Sequence, residues 1–178
     1  MTLPFKAHLE LMARYNQWMN GKILTTIRDV PEDGLWADRG AFFKSLMGTL
    51  NHLMVADLLW LNRMRAVKGA GLLSALDPFT VPLALNQVLH ETVASYATAR
   101  GTLDALFIDL IAALDEETLA EPFAYNDSRG NPHRKTLGLI LSHVFNHQTH
   151  HRGQATTLMT QMGLDLGVTD IHTLVAEL

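Results

Sequence analysis

Cysteine is absent from this 178-residue chain, whereas histidine occurs nine times. That absence excludes disulfides, thiolate zinc sites, cysteine-ligated iron–sulfur clusters and a cysteine nucleophile together, so any bound metal must rest on imidazole, carboxylate or water. Charge is scarce as well: 18% of residues are Asp, Glu, Lys or Arg, against about a quarter in ordinary domains. A surface so poor in charge points to self-association. The net charge of -4 lacks the basic bias of a dedicated nucleic-acid binder. The small basic group Arg63, Arg65 and Lys68 reads as the cationic end of a helix, so no nucleic-acid partner is expected. Long apolar runs are missing too. The longest, Leu53 to Leu61, is interrupted by Asp57 and falls far short of the roughly 20 residues of a membrane span. Residues Met1 to Leu11 carry Lys6, His8 and Glu10 in a helical apolar rhythm and lack the pattern of a signal peptide. No membrane association is expected, and the cytoplasm is the expected location.

What is present is a chain with 48% hydrophobic residues, enough for one sizeable core, and residues 1–178 are read as a single domain. Apolar residues recur at helical spacing over four stretches: about Leu3–Asp29, Phe42–Lys68, Leu83–Leu114 and Thr136–Met162. Val30 to Gly34 and the Gly69–Gly71 segment break the pattern, and Thr136 and Gly163 mark the start and stop of the last stretch. The second stretch is apolar nearly all round, as in a helix buried on more than one side. Between Asp115 and Lys135 the period changes. There, Glu121–Tyr125 followed by Asn126–Asn131 reads as a short extended arm or hairpin with a turn. The tail from Leu164 to Leu178 is expected to pack back on the helices. The expected fold is therefore all-α, a four-helix bundle with a short extended arm or hairpin between helices 3 and 4.

The densest chemistry lies in Ser142 to Gln154, which holds His143, His147, His150 and His151. At about 100° per residue, His151, Ile140, Leu158, Val144, Met162, Leu137 and Ala155 all fall within about 80° of His147 on one side. His143 and His150 fall at or beyond the opposite edge of that stripe. His147 and His151 are thus expected to face the core together. Two adjacent buried imidazoles cost about 1–3 kcal/mol for each unpaired group. They are either core histidines held by side chains and water, or ligands of one metal ion. A third histidine, His52, sits in the second apolar helix at the margin of its apolar face, and a bundle can bring such side chains to one point. Three imidazoles would leave an open position, the pattern of catalytic rather than closed structural zinc sites.

The segment Asn146, His147, Gln148, Thr149, His150, His151, Arg152, Gly153, Gln154 resembles the NHxxHHRGQ segment in the last helix of the DinB/YfiT-like superfamily of metal-dependent enzymes. That family is distinct from the DNA polymerase that has shared the name. His52 followed by Ala56, Asp57 and Trp60 resembles its HxxxADxLW pattern, and Tyr15, Trp18 and Asn20 resemble its opening helix. The resemblance implies a four-helix bundle of that type with one divalent transition metal ion per chain on His52, His147 and His151. Zinc or nickel leads, and iron, cobalt and manganese are also compatible with imidazole. Homodimers are common in the superfamily, so the resemblance implies a homodimer, in agreement with the low charge content. Some of its members are similar to metal-dependent hydrolases, others to thiol-dependent S-transferases.

The resulting expectation is a metal-dependent hydrolase or thiol S-transferase acting on a small molecule. In the second case a low-molecular-weight thiol must arrive as cosubstrate, because the chain has no cysteine. The alternative is a non-enzymatic metal-binding stress-response or interaction protein with a closed site. No general base is assigned. His143 and His150 are candidate proton carriers or extra ligands, with a partly exposed role as the simpler reading. Asn146 and Gln148 read as residues of the polar surface, and Arg152 as an anion-binding, intersubunit or helix-capping residue. His8, His90, His133 and His172 read as surface or loop histidines. Trp18, Trp36 and Trp60 read as packing residues, and the eight methionines as gap-fillers.

Overall fold

A computed structural model describes residues 4–177. It is mostly helical. Four long helices, α1 (Phe5–Ile27), α3 (Leu46–Arg63), α4 (Val93–Ala113) and α6 (Leu137–Gln161), are joined by shorter elements. These are α2 (Glu32–Trp36), α5 (Glu116–Ala120), 3-10 turns at Met64–Ala66, Ala70–Leu76 and Ile171–Leu174, and a hairpin of β1 (Pro122–Asn126) and β2 (Pro132–Thr136). Helix α1 packs mainly on α4 and α6, and α3 mainly on α6. One contiguous cluster of buried apolar side chains draws on all four long helices. Among the described residues no helix is long and apolar enough to cross a membrane.

The expected first helix begins at Leu3, which lies outside the described residues, and the observed one ends two residues before Asp29. Helix α3 is buried nearly all round, as its composition requires. It starts at Leu46 rather than Phe42, because Lys44 takes a left-handed backbone (φ 67°) that a right-handed helix does not admit. Ser45 then caps α3, its hydroxyl accepting from the Gly48 amide.

The expected third helix is shortened more. Residues 83–92 are irregular, and α4 begins only at Val93 behind a Thr92 cap. The cause is a competition for backbone groups. The Asn51 side chain of α3 accepts from Leu89 N–H and His90 N–H and donates to the His90 carbonyl. His52 occupies the Leu85 carbonyl. Groups that an intrahelical ladder would use are taken by α3.

The extended arm is a two-stranded antiparallel hairpin in the register Pro122 to Thr136 through Asn126 to Pro132. The Asp127 carboxylate accepts from the Arg129 and Asn131 amides, and Gly130 supplies the positive φ at its turn. Helix α5 has no counterpart among the four expected helices. Its Asp115 cap accepts from Thr118 N–H. The tail packs against α1: Leu164 and Leu166 rest on the core, and the Tyr15 hydroxyl donates to the Thr169 carbonyl. Its last residue, Leu178, lies outside the described residues.

Candidate metal centre

The side chains of His52 on α3 and of His147 and His151 on α6 converge, with one ligand atom of each within 4.8 Å of the others. Nε2 of His52 lies 3.3 Å from Nε2 of His147. Imidazoles on a tetrahedral ion at roughly 2.0–2.1 Å stand about 3.3 Å apart, so this pair already has a ligand's spacing. His143 and His150 lie outside the three-histidine group and are exposed.

Hydrogen bonds set the rings. His52 Nδ1 lies 2.7 Å from the Leu85 carbonyl, which can only accept, so the proton resides on Nδ1 and Nε2 presents a lone pair to the cluster. His151 Nδ1 donates to Gln154 Oε1 at 2.8 Å, and the Gln154 amide in turn donates to His150 Nε2. A second partner that fixes the tautomer of each ligand is how histidine metal sites are usually built. The His52 lone pair facing His147 is satisfied by an N–H from His147 or by a shared cation, so the donor set fits a metal ion. Burial lowers the pKa of all three, and His147 falls to about 3 under burial plus its neighbours His151 and His52. Neutral imidazoles are the form that binds metal.

The cluster is reached from one side. A cleft of about 980 Å³ is lined by His52 and His151 between apolar walls that include Phe43, Leu85 and Val88. Phe43 stacks on His52 at a ring separation of 3.9 Å. It reaches there because Gly48, in the first turn of α3, has no side chain. A Cβ at that position would stand 2.2 Å from the Phe43 carbonyl oxygen.

Behind the histidines runs a polar network with contributions from every long helix, which periodicity does not reveal. Asp57 on α3 is 2.5 Å from Arg100 on α4, both about 1% exposed, and Arg100 also lies 3.1 Å from Asp104. Asn16 and Asn20 of α1 donate to Asp104. Gln148 donates to Asp57 and to the Leu53 carbonyl, and Arg152 donates to Asn16. Burial alone would lower the Arg100 pKa, but Asp104 and Asp57 outweigh it and hold the guanidinium charged.

Two expectations are corrected here. Gln148 is fully buried rather than part of the polar surface. Arg152 is buried in the middle of α6, where it neither caps the helix nor meets solvent, and burial lowers its pKa to about 10. Both lie about 100–140° around α6 from His147, on a side that α1 and α3 cover.

The other histidines behave as surface or loop residues: His8 and His172 are exposed, and His90 and His133 lie half-buried in the loop and hairpin. Trp60 and Trp36 pack on the core, while Trp18 stands beside Lys22. Trp36 also borders the cleft, with its indole N–H donating to the Glu91 carbonyl.

The DinB family matches residues 5–175. The chain belongs to the DinB family. It is also similar to Protein DinB of Bacillus subtilis strain 168, with 27% identity over 161 residues covering 88% of this chain and 87% of that protein. No solved structure matches. In this DinB-family chain the three-histidine group fits a metal-binding protein.

The residues that sequence reasoning missed are Phe43, Gly48 and Leu85 around the cluster, with Gln154 quoted in the motif but given no role, and Arg100 and Asp104 behind it. A signal existed for the last two: Asp57 interrupts an apolar run, and Arg100 and Asp104 stand one helical turn apart. A buried charge demands a partner.

Proposed function

We propose that His52, His147 and His151 hold one divalent transition metal ion and that the chain is a metal-dependent enzyme acting on a small molecule in the adjoining cleft. It works as a hydrolase or a thiol S-transferase, within a single-domain four-helix bundle of the DinB type. The observation that carries this reading is the joining of three neutral imidazoles, two with their Nδ1 hydrogen committed, to an open cleft. A closed coordination sphere would favour the metal-binding stress-response protein; the cleft favours the enzyme. An ion on three protein ligands retains an open position at which it can polarise a substrate or lower the pKa of water or a thiol.

The chain's own parts are assigned accordingly. The Leu85 carbonyl and Gln154 hold the imidazoles of His52 and His151 in orientation, and Phe43 shields one face of His52 from water. His150, on the cleft wall and linked through Gln154 to His151, is placed to accept or release a proton at Nε2. Sulfur, if thiol chemistry operates, comes with the cosubstrate.

Elemental analysis of protein purified without a histidine tag tests the site. Near-stoichiometric zinc or nickel is expected in the wild type and its loss in His52→Ala. A His52→Ala protein with unchanged stoichiometry would remove His52 from the site. Turnover in a screen of esters, amides and thiols that disappears in a folded His147→Ala variant supports the enzyme. A blank screen, with unfolding on metal removal, supports the structural alternative. We also infer a homodimer, supported by the low charge content; light scattering that returns a monomer at all concentrations would overturn it.

A further inference from the structure

We propose that the cleft selects small molecules with an apolar body and a single anionic group, and that Lys44 binds the anion. This deepens the enzyme reading and rests on its placing substrate in that cleft.

Three independent observations meet at Lys44. The first is conformational. Lys44 is the only non-glycine residue with positive φ among the described residues, at 67°. Its turn is held by its own amide donating to the Ala41 carbonyl and by Arg39 N–H donating to the Lys44 carbonyl. Glycine or asparagine would occupy that backbone with less strain. Nothing in the turn requires a lysine, and strain kept at a cleft wall points to a role for the side chain.

The second is electrostatic. Lys44 borders the cleft, and among the described residues no carboxylate lies within 4 Å of its ammonium. The cleft's one acidic side chain, Asp38, already accepts from the Gly40 amide. An anion at the Lys44 end therefore finds an uncommitted cation.

The third is apolar surface. Phe42, in the same turn, is 87% exposed, and Leu85 and Val88 opposite are about half exposed. Exposed apolar side chains gathered on a concave wall are a ligand's contact surface more often than scattered surface residues are. Phe43 faces inward on His52, so one short turn presents an apolar rim, a cation and the packing partner of a histidine. A molecule whose apolar part lies along Phe42, Leu85 and Val88 with its anion at Lys44 also reaches His52 and His151, which line the same cleft.

Two dyes that differ by one charge test this. 1-Anilinonaphthalene-8-sulfonate carries an aromatic body and a sulfonate; N-phenyl-1-naphthylamine has the same body without the charge. Fluorescence titrations use the full chain, metal-free in chelator, and then again zinc-loaded. In metal-free protein Lys44→Gly, which suits the positive φ, and Lys44→Gln are each expected to weaken the anionic dye about fivefold at low salt, the upper range of an exposed ion pair. Binding of the neutral dye should stay within about twofold. Lys44→Arg should preserve both, Phe42→Ala should weaken both, and raised salt should erase the difference between the dyes.

Equal weakening of both dyes in the glycine and glutamine variants would assign the effect to the turn and overturn the proposal. So would unchanged binding of the anionic dye. Dye binding that is lost on self-association and insensitive to residue 44 would also overturn it, in favour of a surface for a second copy. Because the decisive titration uses metal-free protein, its failure leaves the three-histidine site standing, and failure of zinc to bind leaves the dye result standing.

Discussion

Replacing Asp57 by asparagine tests whether the buried ionic network behind the histidines holds the helices in place. Asp57 and Arg100 are each about 1% exposed with 2.5 Å between their polar atoms. Burial pushes the Asp57 pKa up and Arg100 pulls it down. At an effective dielectric near 20, unit charges about 4 Å apart interact by about 4 kcal/mol. Removing one partner of a buried pair costs about 3–5 kcal/mol, because the surviving charge is left buried. In the Asp57→Asn variant Arg100 keeps Asp104, at 3.1 Å, but that carboxylate also serves Asn16 and Asn20. The new amide retains the size of the carboxylate and an acceptor for Gln148, so the expected loss is about 3 kcal/mol, at the lower end of that range.

With a denaturant slope of roughly 2 kcal/mol per molar, that loss lowers the urea midpoint by about 1.5 M, read by far-ultraviolet circular dichroism on metal-free protein. Stability of about 5–15 kcal/mol leaves the variant folded. The triple variant Asp57→Asn, Arg100→Met and Asp104→Asn removes all three buried charges, keeps oxygen acceptors for Gln148, Asn16 and Asn20, and should recover most of the loss. A single variant within about 1 kcal/mol of wild type, or a triple variant no better than the single one, would refute the argument.

Gly48→Ala should destabilise by about 1–3 kcal/mol in thermal melts, the cost of overpacking, because its Cβ would stand 2.2 Å from the Phe43 carbonyl oxygen. Helix propensity alone predicts the opposite sign for this substitution, so a raised melting temperature would show that the turn does not approach α3 as described. Asn51→Leu should free residues 85–90, seen as faster amide exchange at Leu89 and His90, whose N–H groups it binds; unchanged exchange there would count against the backbone competition that shortens α4. The Asp127 carboxylate is held well below its usual range by hydrogen bonds from Asn131, His133 and Arg129. A depressed carboxylate contributes stability above its unfolded pKa, about 3.9, and loses it as pH falls through the folded value. The stability gap between wild type and Asp127→Asn should therefore be widest near neutrality and close on acidification; a gap constant with pH would contradict the role of the carboxylate charge.

Much of the helical content and the pairing of His147 with His151 can be read from local patterns, and the reason is geometric. His147 and His151 share one helix, so a spacing of four residues puts them side by side without knowledge of any other element. The pairing with His52 is different: its place at the margin of an apolar face leaves its direction open, and the family pattern rather than periodicity nominates it. The hairpin is legible because Asn126 to Asn131 carries turn residues whose preferences are local. Lys44 escapes a periodic reading because its left-handed turn, held by Ala41 and Arg39, leaves no mark on apolar spacing, and residues 83–92 escape it because remote partners decide their backbone. Asn51 and His52 take amides and carbonyls more than thirty residues away in sequence, and no window of ten or twenty residues contains both sides of that competition.

Gln148 and Arg152 show where a one-stripe reading of a helix fails. A helical wheel divides α6 into a core face and a solvent face, which is adequate only when the helix is covered from one side. Here α3 and α1 cover adjacent sides, and the buried arc extends beyond Val144 and Ala155 to Gln148 and Arg152. Polar residues within that arc are there because other helices contribute their counterparts: Asp57 for Gln148 and Asn16 for Arg152. Charge arithmetic could have exposed this where periodicity could not. Asp57 in an apolar run requires a cation, and a chain with so few charged residues has few cations to offer, so Arg100, one turn before Asp104 in an apolar helix, becomes a natural partner. The same reasoning explains why the ionic network and the histidines occupy neighbouring sides of α6. The arc that could be left apolar would fix how deeply α6 is buried but not its rotation, whereas directional hydrogen bonds to α1 and α3 fix both, and with them the direction in which His147 and His151 point.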